Sequence, residues 1–72
     1  MRITYKKLWK RLIDLEMSKT DLREKTGIST VTLAKLGKDQ IVSMEVIMKI
    51  CKVLSCNIDE ICDFVEDYFY NV

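Results

Sequence analysis

Seventy-two residues, 49% of them apolar, are enough for one small domain near the lower limit at which a core forms without disulfides or metal, and too few for two. The chain has no histidine, and its three cysteines (Cys51, Cys56, Cys62) match no paired zinc-ligand spacing and cannot all pair with one another; they are read as reduced thiols, and no catalytic constellation, metal site or cofactor site is expected. A net charge of +1 conceals a segregation: residues 1 to 40 carry ten Lys/Arg against five Asp/Glu and residues 41 to 72 carry two against six, the division that a polyanion-contacting half requires and that ordinary solvated helix faces also produce.

At the N-terminus, Met1-Arg2-Ile3-Thr4-Tyr5-Lys6-Lys7 leads into an amphipathic segment and not into a signal-peptide apolar block. No apolar run approaches the length of a membrane span, so a cytoplasmic chain without a membrane partner is expected. From about Thr4 to Glu16, Tyr5, Leu8, Leu12 and Leu15 share one stripe with Trp9 and Ile13 beside it, which predicts a first helix. Ser18 with Asp21 three residues on fits a capping box, and Thr26-Gly27 closes a second, short helix. Ser29 offers the next N-cap, Leu33 and Leu36 the apolar anchors, and Gly37 the expected stop. Lys38 to Val42 read as a loop. Ser43 then caps a strongly periodic segment with Val46, Ile47, Ile50, Cys51 and Leu54 on its apolar side. Asn57 with Glu60 repeats the cap pattern, and Ile58, Ile61, Cys62 and Val65 predict a fifth helix.

The second and third segments form a unit of about twenty residues, Lys19 to Lys38, whose apolar positions are informative. Counted from Lys19, Leu22, Ile28, Leu33 and Leu36 fall at positions four, ten, fifteen and eighteen, with Gly27 at nine. Gly27 permits a positive φ in a sharp turn, Ile28 plugs the angle between two helices, and the leucines pin the second helix so that its opposite face projects outward. That is the requirement of a DNA-binding helix-turn-helix. The leucines are core residues under any reading and do not by themselves argue function.

In four stretches the chain resembles the Cro and lambda-repressor type, or XRE, family of helix-turn-helix regulators, in its short single-domain subgroup. They are Tyr5-Lys6-Lys7-Leu8-Trp9, Lys19-Thr20-Asp21-Leu22-Arg23, Gly27 through Leu36, and Ile47-Met48-Lys49-Ile50-Cys51 running on through Leu54 to Ile61. The resemblance implies an all-α, five-helix lambda-repressor-like domain that binds double-stranded operator DNA, commonly as a homodimer, and represses by promoter occupation. It implies DNA-contacting roles for Lys19, Thr20, Arg23, Ser29, Thr30, Val31, Thr32, Lys35 and Lys38. Lys19 stands where the family usually has glutamine, and its charge suits a phosphate. Val31 and the threonine methyls suit thymine methyl groups, and Lys35 suits a guanine or a phosphate. This set lacks a bidentate Arg, Gln or Asn, so modest base discrimination and some reliance on DNA shape are expected, with dimerisation supplying the rest. Arg23 replaces a common alanine and is expected to snorkel toward phosphate, and Gly37 is expected to shorten the recognition helix to roughly two turns.

Arg2, Lys6, Lys7 and Lys10 read as solvation of the first helix, the alternative being that one or two of them border the DNA. Cys51 and Cys62 fall on apolar stripes and read as core, while Cys56 stands in a connection. The C-terminal residues 66 to 72 hold three aromatics and are expected to form a dimerisation tail, with Ile3 and Tyr5 joining Tyr68 to Val72, or else to fold back on the first helix. Two other function classes fit the same composition. One is an antitoxin or adaptor whose acidic half grips a basic partner, and the other is a thiol or metal sensor. No small-molecule ligand is indicated.

Overall fold

Elements follow one another in the computed structural model, which describes residues 1–66, as β1 (Arg2–Thr4), α1 (Lys6–Asp14), α2 (Lys19–Thr26), α3 (Thr30–Gly37), α4 (Met44–Leu54), a one-turn 3-10 helix (Ile58–Glu60) and β2 (Asp63–Val65). Serines open three of the four α-helices. Ser18 Oγ accepts from the Asp21 N–H while the Asp21 carboxylate accepts from the Ser18 N–H, both at 3.0 Å. Ser29 and Ser43 accept from Thr32 and Val46 N–H at 3.1 and 3.2 Å. Each such cap stabilises its helix by about 1 kcal/mol. At the start of α1 the Tyr5 side chain makes no cap bond. Its first N–H groups donate instead to Thr4 Oγ1 (Lys6, 3.3 Å) and to the Ile61 carbonyl (Leu8, 3.2 Å).

Left-handed residues end the helices: Glu16, Gly27, Asp39 and Ser55, with φ of 55°, 76°, 55° and 52°. After α1 the Met17 N–H reaches back to the Leu12 carbonyl (2.9 Å) and Glu16 N–H to that of Ile13 (3.0 Å), the paired bonds of a Schellman motif. The same pair recurs after α3 (Gln40 to Lys35, Asp39 to Leu36) and after α4 (Cys56 to Cys51, Ser55 to Lys52). Gly37 is therefore not the stop that its residue type suggests. It is the last helical residue of α3, and Asp39 takes the left-handed turn.

Every α-helix sends residues to one core. Tyr5, Leu8, Leu22, Leu36, Ile50 and Ile61 are fully buried, with Leu12, Ile28, Ile47, Leu54 and Cys62 around them. The expected stripe of α1 stops at Leu12. Ile13 and Leu15 reach the surface because the chain reverses at Glu16 before another turn can face inward.

The expected five-helix, all-α architecture is corrected at the C-terminal side: among the described residues there are four α-helices and a two-stranded sheet. The Asn57–Glu60 capping box forms, but it opens only the single 3-10 turn. Beyond it Asp63–Val65 pairs antiparallel with β1, in the register Arg2 with Val65, Ile3 with Phe64 and Thr4 with Asp63. Ile3 therefore pairs within the chain with residues 63–65; the expectation that it joins Tyr68 to Val72 falls on residues outside the described ones. Ionic contacts fasten this segment to α1. Lys7 Nζ lies 3.1 Å from the Asp59 carbonyl and 3.5 Å from the Asp63 carboxylate, and Arg11 meets Glu60 at 3.1 Å. Lys7 is therefore engaged across the fold and is not simply a solvating charge. No helix among the described residues is long and apolar enough to cross a membrane.

Candidate nucleic-acid interface

A single residue sets the angle between α2 and α3. Gly27 sits at φ 76° with its N–H donating to the Arg23 carbonyl at 2.9 Å. A Cβ there would meet nothing within 4 Å, so backbone conformation, not crowding, is what favours glycine. Thr26 supports the turn from below: its hydroxyl donates to the Leu22 carbonyl (2.7 Å) and accepts from the Ile28 N–H (3.4 Å). Ile28, 6% exposed, fills the angle between the helices as its position anticipates.

Leu36 fully buried and Leu33 half-buried fix the inward side of α3. With about 3.6 residues per turn, the opposite side is then Thr30, Val31, Ala34 and Lys35, all exposed, Val31 at 64%. Thr32 differs from the outward set expected of it. It is half-buried, and its hydroxyl accepts from Ser29 Oγ at 3.0 Å, so Ser29 and Thr32 lock the first turn of α3 together. Ala34 was not among the sequence candidates, although its place four residues after Thr30 signals the same face. Its small side chain lets another surface approach the helix closely.

Cationic side chains stand on α2 and at the C-terminal end of α3. Lys19, the first residue of α2, is exposed and its Nζ lies 4.4 Å from the centroid of the Trp9 ring, a cation–π contact that sequence spacing does not reveal. Thr20 beside it is exposed, and Arg23 one turn on is half-buried. Lys35 and Lys38 are exposed at and just past the end of α3. Among the described residues Lys19, Arg23, Lys35 and Lys38 have no carboxylate partner, whereas Lys7, Arg11 and Lys49 are ion-paired. The nine sequence candidates therefore lie on α2, α3 and their immediate flanks, with Ser29 and Thr32 spent partly on the helix start.

Two of the three thiols, Cys51 and Cys62, are poorly placed for reactive chemistry. Burial pushes the Cys51 and Cys62 thiols above their ordinary range, and Cys62 donates to the Ile58 carbonyl. A raised thiol is poorly suited to forming the nucleophilic or metal-binding thiolate. Among the described residues no three His, Cys, Asp or Glu side chains converge as metal ligands would.

A family model described as the Cro/C1-type HTH DNA-binding domain matches residues 7–67. The fold is similar to a crystal structure of the transcriptional regulator VanUg, at 45% sequence identity and a TM-score of 0.89, over 92% of this chain and 88% of that one. Comparison with curated proteins gives no match.

Proposed function

From the premise that the chain belongs to the Cro/C1-type helix-turn-helix family and is a DNA-binding transcription regulator, we propose that it is a cytoplasmic repressor that occupies promoters as a homodimer. In this reading each copy lays α3 in the major groove of one half-site. Thr30, Val31 and Lys35 face base edges, while Lys19, Thr20, Arg23, Ser29 and Lys38 meet the sugar-phosphate backbone and Thr32 holds the first turn of the helix. Ala34 allows the helix to sit deep. Residues 1–72 act as one domain, and no cofactor takes part.

The observation that supports this reading best is the two-sidedness of α3: Leu36 fully buried behind, Val31 and Lys35 exposed in front, with Lys38 just past its end and Lys19 and Arg23 on α2, none of them paired with a carboxylate among the described residues. A helix so held presents side chains without needing to order itself on contact. The rival antitoxin or adaptor reading relies on a free acidic half, and Glu60, Asp63 and Glu66 are instead engaged with Arg11, Lys7 and the N-terminal amine.

Fluorescence anisotropy with the DNA upstream of the chain's own gene and with unrelated DNA of equal length, at two salt concentrations, tests the proposal. Expected is salt-dependent binding about a thousandfold tighter to the upstream fragment. Equal, weak binding to both rejects sequence-specific repression at that promoter.

A further inference from the structure

Nine large apolar side chains are exposed among the described residues, and five of them, Met1, Ile41, Met44, Ile58 and Phe64, line one groove. The groove encloses about 450 Å³ between the β1–β2 sheet and the start of α4, with Tyr5, Ile47 and Cys62 at its floor. Its rim side chains are far from buried: Met1 is 73% exposed, Ile41 81%, Met44 61%, Ile58 42% and Phe64 69%. Arg2 is the one charged residue along it.

We propose that this groove is where a second copy of the chain docks, with Phe64 and Met44 of each copy inserted against the other. The inference rests on the homodimer in the reading above and names its surface.

Area and charge select the occupant. The five side chains together expose on the order of 600 Å² of apolar surface, the upper limit of what a monomer usually leaves open. A standard interface takes about 800 Å² from each partner, so these side chains form most of one half. A nucleic acid requires cations, and a basic or acidic protein partner requires opposite charge at the contact. The groove carries a single charged residue, Arg2, too little for either, which suits a largely apolar self-complementary contact across a two-fold axis. Ile41 and Met44 also follow α3 within seven residues of Gly37, so a contact there couples the positions of the two recognition helices.

Sedimentation equilibrium of the full chain, with Phe64→Glu and Met44→Glu as single variants and Ile13→Glu as a control on exposed α1 surface, tests the docking site. Wild type and Ile13→Glu are expected to be dimers, and each groove variant to dissociate at least a hundredfold more readily with its thermal midpoint and helical signal kept. Groove variants that dimerise like wild type overturn the proposal. So does a wild-type chain that stays monomeric at all concentrations and on DNA, which leaves the groove to a different partner or to its own C-terminal residues. The DNA reading is judged separately, on a single half-site. A dimer that ignores all DNA fails that reading and leaves the groove assignment standing, whereas groove variants that still bind the half-site like wild type place the defect in assembly.

Discussion

Tyr5 and Asp39 are 34 residues apart in sequence, yet the Tyr5 N–H donates to Asp39 Oδ1 at 3.1 Å. The Tyr5 hydroxyl, on a fully buried ring, donates to the neighbouring Gln40 carbonyl at 2.7 Å. The residue that precedes α1 thus ties down the exit of α3, one position beyond Lys38. Asp39 serves twice, as acceptor for Tyr5 and as the left-handed residue of the turn.

Asp39→Ala loses the acceptor and also the better tolerance of left-handed backbone that aspartate has over alanine, and is expected to cost about 1 to 2 kcal/mol. Asp39→Gly loses the acceptor but relieves the Cβ at the left-handed position, and is expected to cost less than Asp39→Ala. Urea denaturation of the two variants separates the contributions. Equal stability of Asp39→Ala and wild type would show that the bond holds nothing together.

Titration gives a second test. Burial, first of all, pushes the Tyr5 phenol above its ordinary 10.0, and burial likewise raises the Cys51 and Cys62 thiols above 9.0. The folded chain therefore holds these protons at pH values where the unfolded chain has released them. Their contribution to stability is complete below about pH 9 and is lost as pH rises through the folded values. Asp21 behaves oppositely: the Ser18 N–H and hydroxyl hold its carboxyl below 3.8, so the capping box contributes above that pH and is lost as pH falls. Urea midpoints at about pH 8 and 10.5 are expected to show a fall on the alkaline side that Tyr5→Phe lessens.

The two glycines make opposite predictions. Gly37 is helical and a Cβ there meets nothing within 4 Å, so Gly37→Ala is expected to stabilise the fold by about 0.5 to 1 kcal/mol. Gly27 is equally unobstructed but sits at φ 76°, so Gly27→Ala is expected to destabilise by about 1 kcal/mol through the backbone alone. Thermal midpoints that move in the same direction for both would contradict this assignment.

Those two residues also show where sequence is legible. Both stand at helix ends, where glycine after an apolar run is the usual stop, but only Gly27 takes the left-handed conformation of that stop. Three of the four left-handed positions are held by Glu16, Asp39 and Ser55, where a non-glycine residue is tolerated and nothing local announces it. Serine caps and the spacing of Leu22, Ile28, Leu33 and Leu36 are local patterns, and they locate α2, α3 and α4 correctly. The last segment fails for the converse reason. Its capping box governs one turn, while the pairing of Ile3 with Phe64 joins residues at opposite ends of the described chain and outcompetes further helix. Separation in sequence likewise hides Tyr5–Asp39, 34 residues apart, and the contact of Trp9 with Lys19 from the next helix.

Trp9 is the chain's one tryptophan, which makes its contact with Lys19 measurable. In the proposed complex a phosphate draws the Lys19 ammonium away from its position 4.4 Å above the ring centroid. The field that this charge exerts on the indole then weakens, and Trp9 emission is expected to change along the same isotherm as the anisotropy. Lys19→Ala is expected to abolish most of that change, weaken binding at low salt and reduce the salt slope by about one. Lys49→Ala, which removes a lysine paired with Glu45 on α4, is expected to leave both signals alone. An emission spectrum unaltered in wild-type protein saturated with DNA would leave Lys19 on Trp9 and place the phosphate contacts at Arg23, Lys35 and Lys38.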